Sequence, residues 1–303
     1  MGKEPLVSIV LPTYNRAPTL QDSIQSILKQ SYGNFEILIV DDGSKDHTER
    51  IVNWLKKKDP RIQYIRHPRR LGANVARNTG IRQAKGELIA FQDSDDQWHP
   101  DKLSLQVNTV CRTGVPAVFT GFWRIQGAYK TYIPKKFRSI KSGKQYFHEE
   151  LLRGNFIALP SFIVKKSLLN QTGNFDEALP RFQDWELFLR LSKITDFYFI
   201  DKPLLYAHIG KDNITAKKEL YSEAMELVIK KHEEAFNSCP NALIIQLLNL
   251  AADGLRKKDF NCFIHCIKKT AQKGVLPLLD VVTTMMTRSF YGLFHRKNTT
   301  SLF

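Results

Sequence analysis

The chain has 303 residues, in which 45 lysines and arginines stand against 30 acids, a formal net charge of +15. Hydrophobic residues make up 43% and charged residues 25% of the sequence, which excludes a disordered or collagen-like chain. The positive charge favours anionic partners: nucleic acid, acidic lipid, phosphate polymers or nucleotides.

The expected location follows from what the sequence lacks. Its four cysteines are too few and too scattered for the disulfide framework of a secreted protein. The first ten residues lack the apolar run of a secretory signal, and no run of about 18 apolar residues predicts a spanning helix. We expect a reduced globular protein in the cytoplasm, with peripheral contact to the inner face of the plasma membrane.

The first hundred residues alternate between strand and helix patterns. Short apolar runs predict strands at residues 6–11, 35–40, 62–65 and 88–91. Apolar residues at helical spacing predict helices between them, the first with Thr19 as N-cap, the second through Ile51 and Leu55, and the third over residues 73–83. This alternation indicates a mostly parallel α/β sheet with helices on both faces.

The pattern changes twice in the remainder of the chain. Further strands are predicted at residues 118–120, 161–164 and 197–200, with a helix at 182–191. From about residue 219 the sequence is helical almost throughout, with a break at Cys239 and Pro240. We therefore expect an α/β domain over residues 1–215 and a basic α-helical domain over residues 216–303.

Three of the predicted strands end in polar clusters, at residues 12–15, 41–44 and 93–96. Ligands of parallel α/β sheets bind beyond the carboxyl ends of the strands, so these clusters are expected to face one crevice. The run of aspartates at 93–96 offers the hard oxygen ligands that suit Mg²⁺ or Mn²⁺. The alternative for this run is a solvated acidic turn.

Taken in order, these segments resemble the family 2 glycosyltransferases of the GT-A fold. The motifs that carry the resemblance are SIVLPTYNR (8–16), DDGS (41–44), GANVARN (72–78), DSDDQW (93–98), PDKL (100–103), GNFDE (173–177) and QDWEL (183–187). They cover roughly residues 5–210. The resemblance implies an inverting, metal-dependent transfer of sugar from a nucleotide sugar, typically a UDP-sugar, to a hydroxyl of a cell-surface glycan, a lipid-linked glycan or an anionic polymer.

The same resemblance implies roles for the donor-side residues. Pro12 and Tyr14 would line the base and sugar of the nucleotide, and Asp42 would accept a hydrogen bond from the base. Arg77 would sit beside the nucleotide, and Asp93 would reach the ribose or the donor sugar. Trp98 would wall the donor sugar, with core packing as the alternative.

The resemblance also implies a catalytic base and a metal site. Asp184 would take the proton of the attacking hydroxyl, although the family often has Glu where this chain has Gln183. Asp95 would bind Mn²⁺ or Mg²⁺ directly. His208 would be a further metal ligand, or would donate to the diphosphate or lie on the surface.

Two basic regions suggest further partners. Residues 102–148 contain nine lysines and arginines and no acid, which suits an anionic or lipid-linked glycan acceptor. Residues 281–297 combine apolar and basic residues and would contact either an anionic membrane surface or a second copy of the chain.

Two other functional classes are weighed against the transferase. A nucleotidyltransferase also gathers carboxylates around Mg²⁺, but it usually has a glycine-rich loop after the first strand, and residues 12–16 contain no glycine. A nucleic-acid-binding or non-catalytic basic α/β protein would account for the net charge, but its acidic clusters would repel phosphate. Nucleic acid is therefore not expected as a partner.

Overall fold

The computed structural model describes residues 4–134, 140–209 and 218–272. These residues divide into two compact units. The first runs to His148 and resumes at Asn155, and the second joins residues 149–154 to the chain beyond residue 216. The predicted division at residue 216 did not include this short segment of the second unit.

The described residues form ten strands, which belong to one sheet. In chain order the strands are β1 (Val7–Thr13), β2 (Phe35–Asp41), β3 (Ile62–Arg66), β4 (Leu88–Phe91), β5 (Gln97–Trp98), β6 (Ala117–Gln126), β7 (Tyr129–Ile133), β8 (Gly143–Gln145), β9 (Phe162–Lys165) and β10 (Phe197–His208). Their order in the sheet is β3-β2-β1-β4-β9-β6-β10-β5, with β7 beside β6 and β8 beside β10.

The described helices follow the predicted pattern in the first hundred residues and after residue 218. In chain order they are α1 (Ala17–Leu28), α2 (Thr48–Lys58), α3 (Ala73–Gln83), α4 (Lys102–Thr113), α5 (His148–Leu152), α6 (Lys166–Thr172), α7 (Gln183–Ile194), α8 (Tyr221–Lys231), α9 (Glu233–Ser238), α10 (Pro240–Lys257) and α11 (Phe260–Gln272). The break predicted at Cys239 and Pro240 separates α9 from α10, as expected.

The apolar strand runs bury side chains on both faces of the sheet. In β1, Ile9 and Leu11 pack into the main core with residues of α1 and α4. Val10 points to the opposite face, where a Cβ at Gly80 of α3 would lie 2.5 Å from a Val10 methyl group. A glycine at this position therefore lets α3 approach the sheet closely. Helices cover both faces, as predicted.

Three local predictions need correction. Thr19 is not the N-cap of α1, because the helix already begins at Ala17 with Arg16 as its cap and without a capping side-chain hydrogen bond. Strand β6 continues well beyond residue 120 and forms an unpredicted antiparallel hairpin with β7. The last strand, predicted at residues 197–200, continues to His208 as β10.

The second unit is built around α10, which is buried on most of its surface. Gln246 lies in the middle of this helix, and its Nε2 donates to the carbonyl of Leu152 at 2.9 Å. This hydrogen bond attaches the segment 149–154 to the unit. Among the described residues, no helix has both the length and the apolar character needed to cross a membrane. The amphipathic segment at 281–297 lies outside the described residues.

Candidate functional site

The loops after β1, β2 and β4 meet at one edge of the sheet, because the three strands are parallel neighbours in the order β2-β1-β4. The amide of Asp42 donates to the carbonyl of Thr13 at 2.9 Å. The amide of Asn15 donates to Ser44 Oγ at 2.8 Å. The predicted convergence of the three polar clusters is confirmed by this sheet order.

The buried carboxylate of Asp42 organises the loop that leads into α3. Its Oδ1 accepts the amide N–H of Leu71 at 2.8 Å and lies 2.9 Å from Nδ1 of His67. Its Oδ2 accepts the amide N–H of Gly72 at 2.8 Å. A carboxylate offers about four acceptor positions, so the loop leaves Asp42 one for the predicted contact with a base.

Pro12 and Tyr14 lie at the end of β1 and are half-buried. Pro12 pairs in register with Val40 of β2. The guanidinium of Arg70 lies 4.4 Å from the centre of the Tyr14 ring, a cation–π distance. Arg70 belongs to the loop that Asp42 holds. An aromatic ring, a carboxylate and a cation therefore border this part of the site.

Arg77 is a buried cation on α3. Its Nη2 donates to Asp93 Oδ1 at 3.0 Å, and its guanidinium lies 5.6 Å from the centre of the Phe175 ring. The Nε of Arg77 has no hydrogen-bond partner. A buried donor without a partner costs about 1–3 kcal/mol. A hydroxyl or phosphate oxygen of a ligand would satisfy this donor.

A cleft of about 540 Å³ opens where the loop after β4 faces the end of β10. Asp95 and His208, the two predicted metal ligands, both line it. Asp96 is buried in its wall, and Asp96 Oδ1 accepts the amide N–H of His208 at 2.9 Å. This hydrogen bond holds the two sides of the cleft together. The lining also includes Arg16, Thr19, Asp22, Ser23, Gln97, Ile125, Gly127 and Ile209.

Asp184 lies in the first turn of α7, where the helix dipole favours a negative charge. Asp184 Oδ2 accepts a hydrogen bond from Asn155 Nδ2 at 3.1 Å, and Oδ1 accepts the amide N–H of Trp185 at 2.8 Å. The helix is preceded by Phe182 with a φ of +64°, a conformation that bulky residues rarely adopt. These contacts hold the carboxylate in one orientation.

Electrostatic interactions connect Asp184 to the aspartates after β4. Burial raises the pKa of Asp184, and Asp93 raises it further while Arg77 lowers it. Burial also raises the pKa of Asp95, again with a contribution from Asp93, against the opposing effect of two nearby basic side chains. Asp93 is thus common to both effects, and the structure brings Arg77, Asp93, Asp95 and Asp184 together in the first unit.

The carboxylates after β4 fit a metal ion that arrives with a phosphate ligand. Among the described residues, no three His, Cys, Asp or Glu side chains form a complete metal site. However, burial raises the pKa of Asp95 and repulsion from Asp93 raises it further. A cation would relieve this repulsion, and His208 lines the same cleft. In nucleotide sites Mg²⁺ is commonly held by one or two carboxylates, with phosphates and water completing its shell.

Trp98 lies in the hydrophobic core, and its side chain is 3% exposed. It packs with residues of α1 and α4, and the Nζ of Lys102 lies 3.8 Å from the ring centre. This placement favours the packing role over contact with a donor sugar. Trp98 therefore lies in the core, which is the packing alternative that the sequence left open.

Several polar side chains that support the site were not predicted, and Asn78 on α3 is an example. Its Nδ2 donates to the carbonyl of Phe175 at 2.9 Å, and its Oδ1 accepts the amide N–H of Phe175 at 3.0 Å. Asn74, one turn earlier, donates to the carbonyls of Asp176 and Leu179. Asparagine is a poor helix former, so two of them one turn apart were the signal that could have indicated a tertiary role.

Comparison with known sequences gives one family. The sequence profile of glycosyl transferase family 2 matches residues 8–173. WfgD of Escherichia coli, a UDP-Glc:α-D-GlcNAc-diphosphoundecaprenol β-1,3-glucosyltransferase, is 29% identical to this chain over 259 residues. The match covers 84% of this chain and 96% of WfgD.

Solved structures agree with the expected GT-A fold. Residues 1–349 of S. aureus TarS, in complex with UDP-GlcNAc, match with a TM-score of 0.68 and 20% identity over 88% of this chain and 81% of that one. The mannosyltransferase PcManGT of Pyrobaculum calidifontis, in complex with GDP-Man and Mn²⁺, matches with a TM-score of 0.61 and 18% identity over 98% and 84%. At these identities the likeness establishes the fold alone.

Proposed function

We propose that this chain, which belongs to glycosyl transferase family 2, moves a sugar from a UDP-sugar to a hydroxyl of a lipid-linked or anionic glycan and inverts the anomeric centre. Membership of the family makes the chain a glycosyltransferase. One observation supports the particular reaction. Burial and the charge of Asp93 raise the pKa of Asp184 and Arg77 lowers it, so Asp184 lies close to two residues that are proposed to meet the donor.

The donor and acceptor are proposed from two kinds of support. WfgD uses UDP-Glc and a lipid-diphosphate acceptor, as its name states, and this chain spans 96% of it. Because the proposed acceptor is lipid-linked or part of a cell-surface polymer, we place the reaction at the cytoplasmic side of the plasma membrane. In the site, Tyr14 and the remaining acceptor position of Asp42 would meet the base, and Arg77 and Asp93 would meet the ribose, sugar or phosphates.

Asp184 is the proposed general base. A sugar hydroxyl becomes a better nucleophile as it loses its proton, and a positioned carboxylate accepts that proton during the attack. Asn155 Nδ2 holds one carboxylate oxygen of Asp184, so the base is oriented before the acceptor arrives. The proton moves from the acceptor hydroxyl to the Asp184 carboxylate while the anomeric carbon exchanges the diphosphate oxygen for the acceptor oxygen. A single displacement of this kind inverts the anomeric centre.

Asp95 would hold a Mn²⁺ or Mg²⁺ ion, and His208 is the proposed second protein ligand. Such an ion, when bound, offsets the negative charge that develops on the departing diphosphate. The structure of the mannosyltransferase PcManGT is a complex with GDP-Man and Mn²⁺, which supports the use of a divalent metal by this chain. Basic side chains beside the acceptor are proposed to attract anionic glycans, although Lys135, Lys136 and Arg138 lie outside the described residues.

A thermal-shift panel tests this function. With Mn²⁺ present, the true donor is expected to raise the melting temperature of the chain more than other nucleotide sugars, because a ligand that binds only the folded state stabilises it by mass action. Chelation of the metal is expected to remove most of that shift. A UDP-sugar shift of equal size with and without metal would contradict the metal-dependent part of the proposal. The absence of any nucleotide-sugar shift would contradict the donor assignment.

The raised pKa of Asp184 predicts how the rate of sugar transfer falls at low pH. Only the ionised carboxylate can accept a proton, so kcat is expected to fall as the pH falls through the pKa of Asp184. Because burial raises that pKa, the fall should be centred above the ordinary aspartate value of about 3.9. The measurement is kcat against pH at saturating donor and Mn²⁺, with UDP affinity measured in parallel. A rate that stays constant down to pH 4 would exclude Asp184 as the base.

A further inference from the structure

A row of aromatic side chains crosses three neighbouring strands of the sheet. Tyr132 of β7 pairs in register with Trp123 of β6, and Trp123 pairs in register with Tyr206 of β10. The ring centres of Trp123 and Tyr132 are 5.6 Å apart. Partners in register project their side chains to the same face of a sheet. All three residues are half-buried, so the row has a side that faces solvent.

The next row on the same face leads into the cleft. Lys130 pairs with Ile125, and Ile125 pairs with His208. Each of these residues lies two positions along its strand from a member of the aromatic row, and side chains two apart share a face. Ile125 and His208 also line the cleft that contains Asp95. The aromatic row is therefore continuous with the cleft.

Lys130 connects the two rows. Its side chain is exposed, and its Nζ lies 4.4 Å from the centre of the Trp123 ring and 5.2 Å from that of Tyr206. The ammonium group thus rests on the two aromatic faces. At the far end of the row the Tyr132 hydroxyl donates to the acidic side chain of Asp201. The solvent side of the row presents two aromatic faces and one cation.

We propose that this aromatic–lysine strip (Trp123, Lys130, Tyr132 and Tyr206) binds a saccharide that carries a phosphate or carboxylate beside its sugar ring. Binding sites for small ligands combine apolar and aromatic surface with a few well-placed polar groups, and lysine binds phosphate as a mobile point charge. A sugar ring takes the place of the ammonium group on the aromatic faces, and the ammonium turns to pair with the anionic group. The strip receives the acceptor in the transfer reaction, an assignment that depends on the proposed function.

The position of the strip separates it from the nucleotide side of the site. The predicted nucleotide contacts follow β1 and β2, whereas the strip lies on β7, β6 and β10, which are separated from β1 in the sheet by β4 and β9. The cleft lies between the two regions, because it is lined by Arg16 after β1 and by Ile125 and His208 beside the strip. A saccharide on the strip therefore approaches the cleft from the side opposite to the base of the donor.

The test measures binding of a small saccharide phosphate to the full chain while UDP and Mn²⁺ fill the donor site. Calorimetry compares N-acetylglucosamine 1-phosphate, N-acetylglucosamine and inorganic phosphate. Lys130→Gln is expected to weaken binding of the sugar phosphate about tenfold, the value of one charge-assisted contact, and to leave the neutral sugar unchanged. Lys130→Arg is expected to restore most of the affinity, and Trp123→Ala to weaken both sugars. Lys56→Gln, which removes an exposed lysine from α2, is the control.

Each outcome supports or overturns the proposal. Equal affinity for the sugar phosphate in the wild type and Lys130→Gln overturns it, and so does loss of this binding when UDP occupies the donor site. If Trp123→Ala does not fold, as judged by its UDP affinity, the Lys130 variants decide alone. A wild-type chain that does not bind UDP contradicts the proposed function, while the same titrations without UDP still test the strip. Tighter binding of N-acetylglucosamine linked to a short prenyl diphosphate than of free N-acetylglucosamine 1-phosphate identifies a lipid-linked source, and equal binding identifies a polymer.

Discussion

Replacing Asp184 by asparagine is expected to lower the rate of sugar transfer by about 10²- to 10⁴-fold, the usual contribution of a positioned general base. The amide has nearly the shape of the carboxylate, and its oxygen can still accept the hydrogen bond from Asn155 Nδ2. It cannot accept a proton from the acceptor hydroxyl. The measurement is kcat with a UDP-sugar and a soluble acceptor at saturating Mn²⁺.

The affinity for UDP distinguishes a lost base from a damaged site. Arg77 pairs directly with Asp93 and not through Asp184, so Asp184→Asn is expected to leave UDP binding within a few-fold of the wild type. Asp196→Asn is a matched control in the same unit, because Asp196 is an acid that pairs with the exposed Lys144. Turnover near the wild-type rate in Asp184→Asn, or an equal loss in Asp196→Asn, would remove Asp184 from the base role.

The sequence allowed the first hundred residues to be predicted almost completely, because their structure is local. Each strand of this part is a short apolar run, and each helix has one apolar face, so the period of the pattern identifies the element. The convergence of the polar clusters followed from a general property of parallel sheets, in which the carboxyl ends of the strands share one edge. The sequence alone therefore assigns Asp42 and Asp93 to the same crevice.

The later strands were harder to predict, because their pairing depends on distant parts of the chain. Strand β9 is antiparallel to both β4 and β6, and β10 returns parallel to β6 with two register shifts. No local pattern in the sequence specifies those registers. The hairpin of β6 and β7 was missed for the same reason, and with it the aromatic row around Trp123. Trp98 shows a related difficulty. An aromatic residue beside a polar motif is as consistent with packing in the core as with contact to a ligand.

Sequence motifs do not identify the residues that support the site, because these residues act through hydrogen bonds to the backbone or to another side chain. Asp96 belongs to the acidic run of the sequence. Its carboxylate accepts a backbone amide N–H of β10 and so supports the wall of the cleft. Asn155 was not singled out, although it holds the proposed base. Such residues are recognised from the hydrogen bonds they make, and a sequence shows only that a polar residue is present.

Replacing Asp95 by asparagine is expected to weaken Mn²⁺-dependent binding of UDP by about 10- to 100-fold, the range for loss of one contact to a charged group. The physical reason is that Asp95 is a half-buried carboxylate next to Asp93, and burial and that neighbouring charge both raise its pKa. A divalent ion held by Asp95 would offset these negative charges and those of the UDP diphosphate. The measurement is the UDP dissociation constant by calorimetry with Mn²⁺ and with chelator.

The sign of the effect without metal makes this prediction specific. In chelator, Asp95 and the UDP diphosphate repel each other, so Asp95→Asn is expected to bind UDP as tightly as the wild type or more tightly. Asp22→Asn is the matched control, because Asp22 lines the same cleft but belongs to α1 and not to the acidic run after β4. It should change UDP affinity little under either condition. If Asp95→Asn keeps the full metal dependence of the wild type, or if Asp22→Asn loses as much, the metal is held elsewhere and Asp95 is only part of the wall of the cleft.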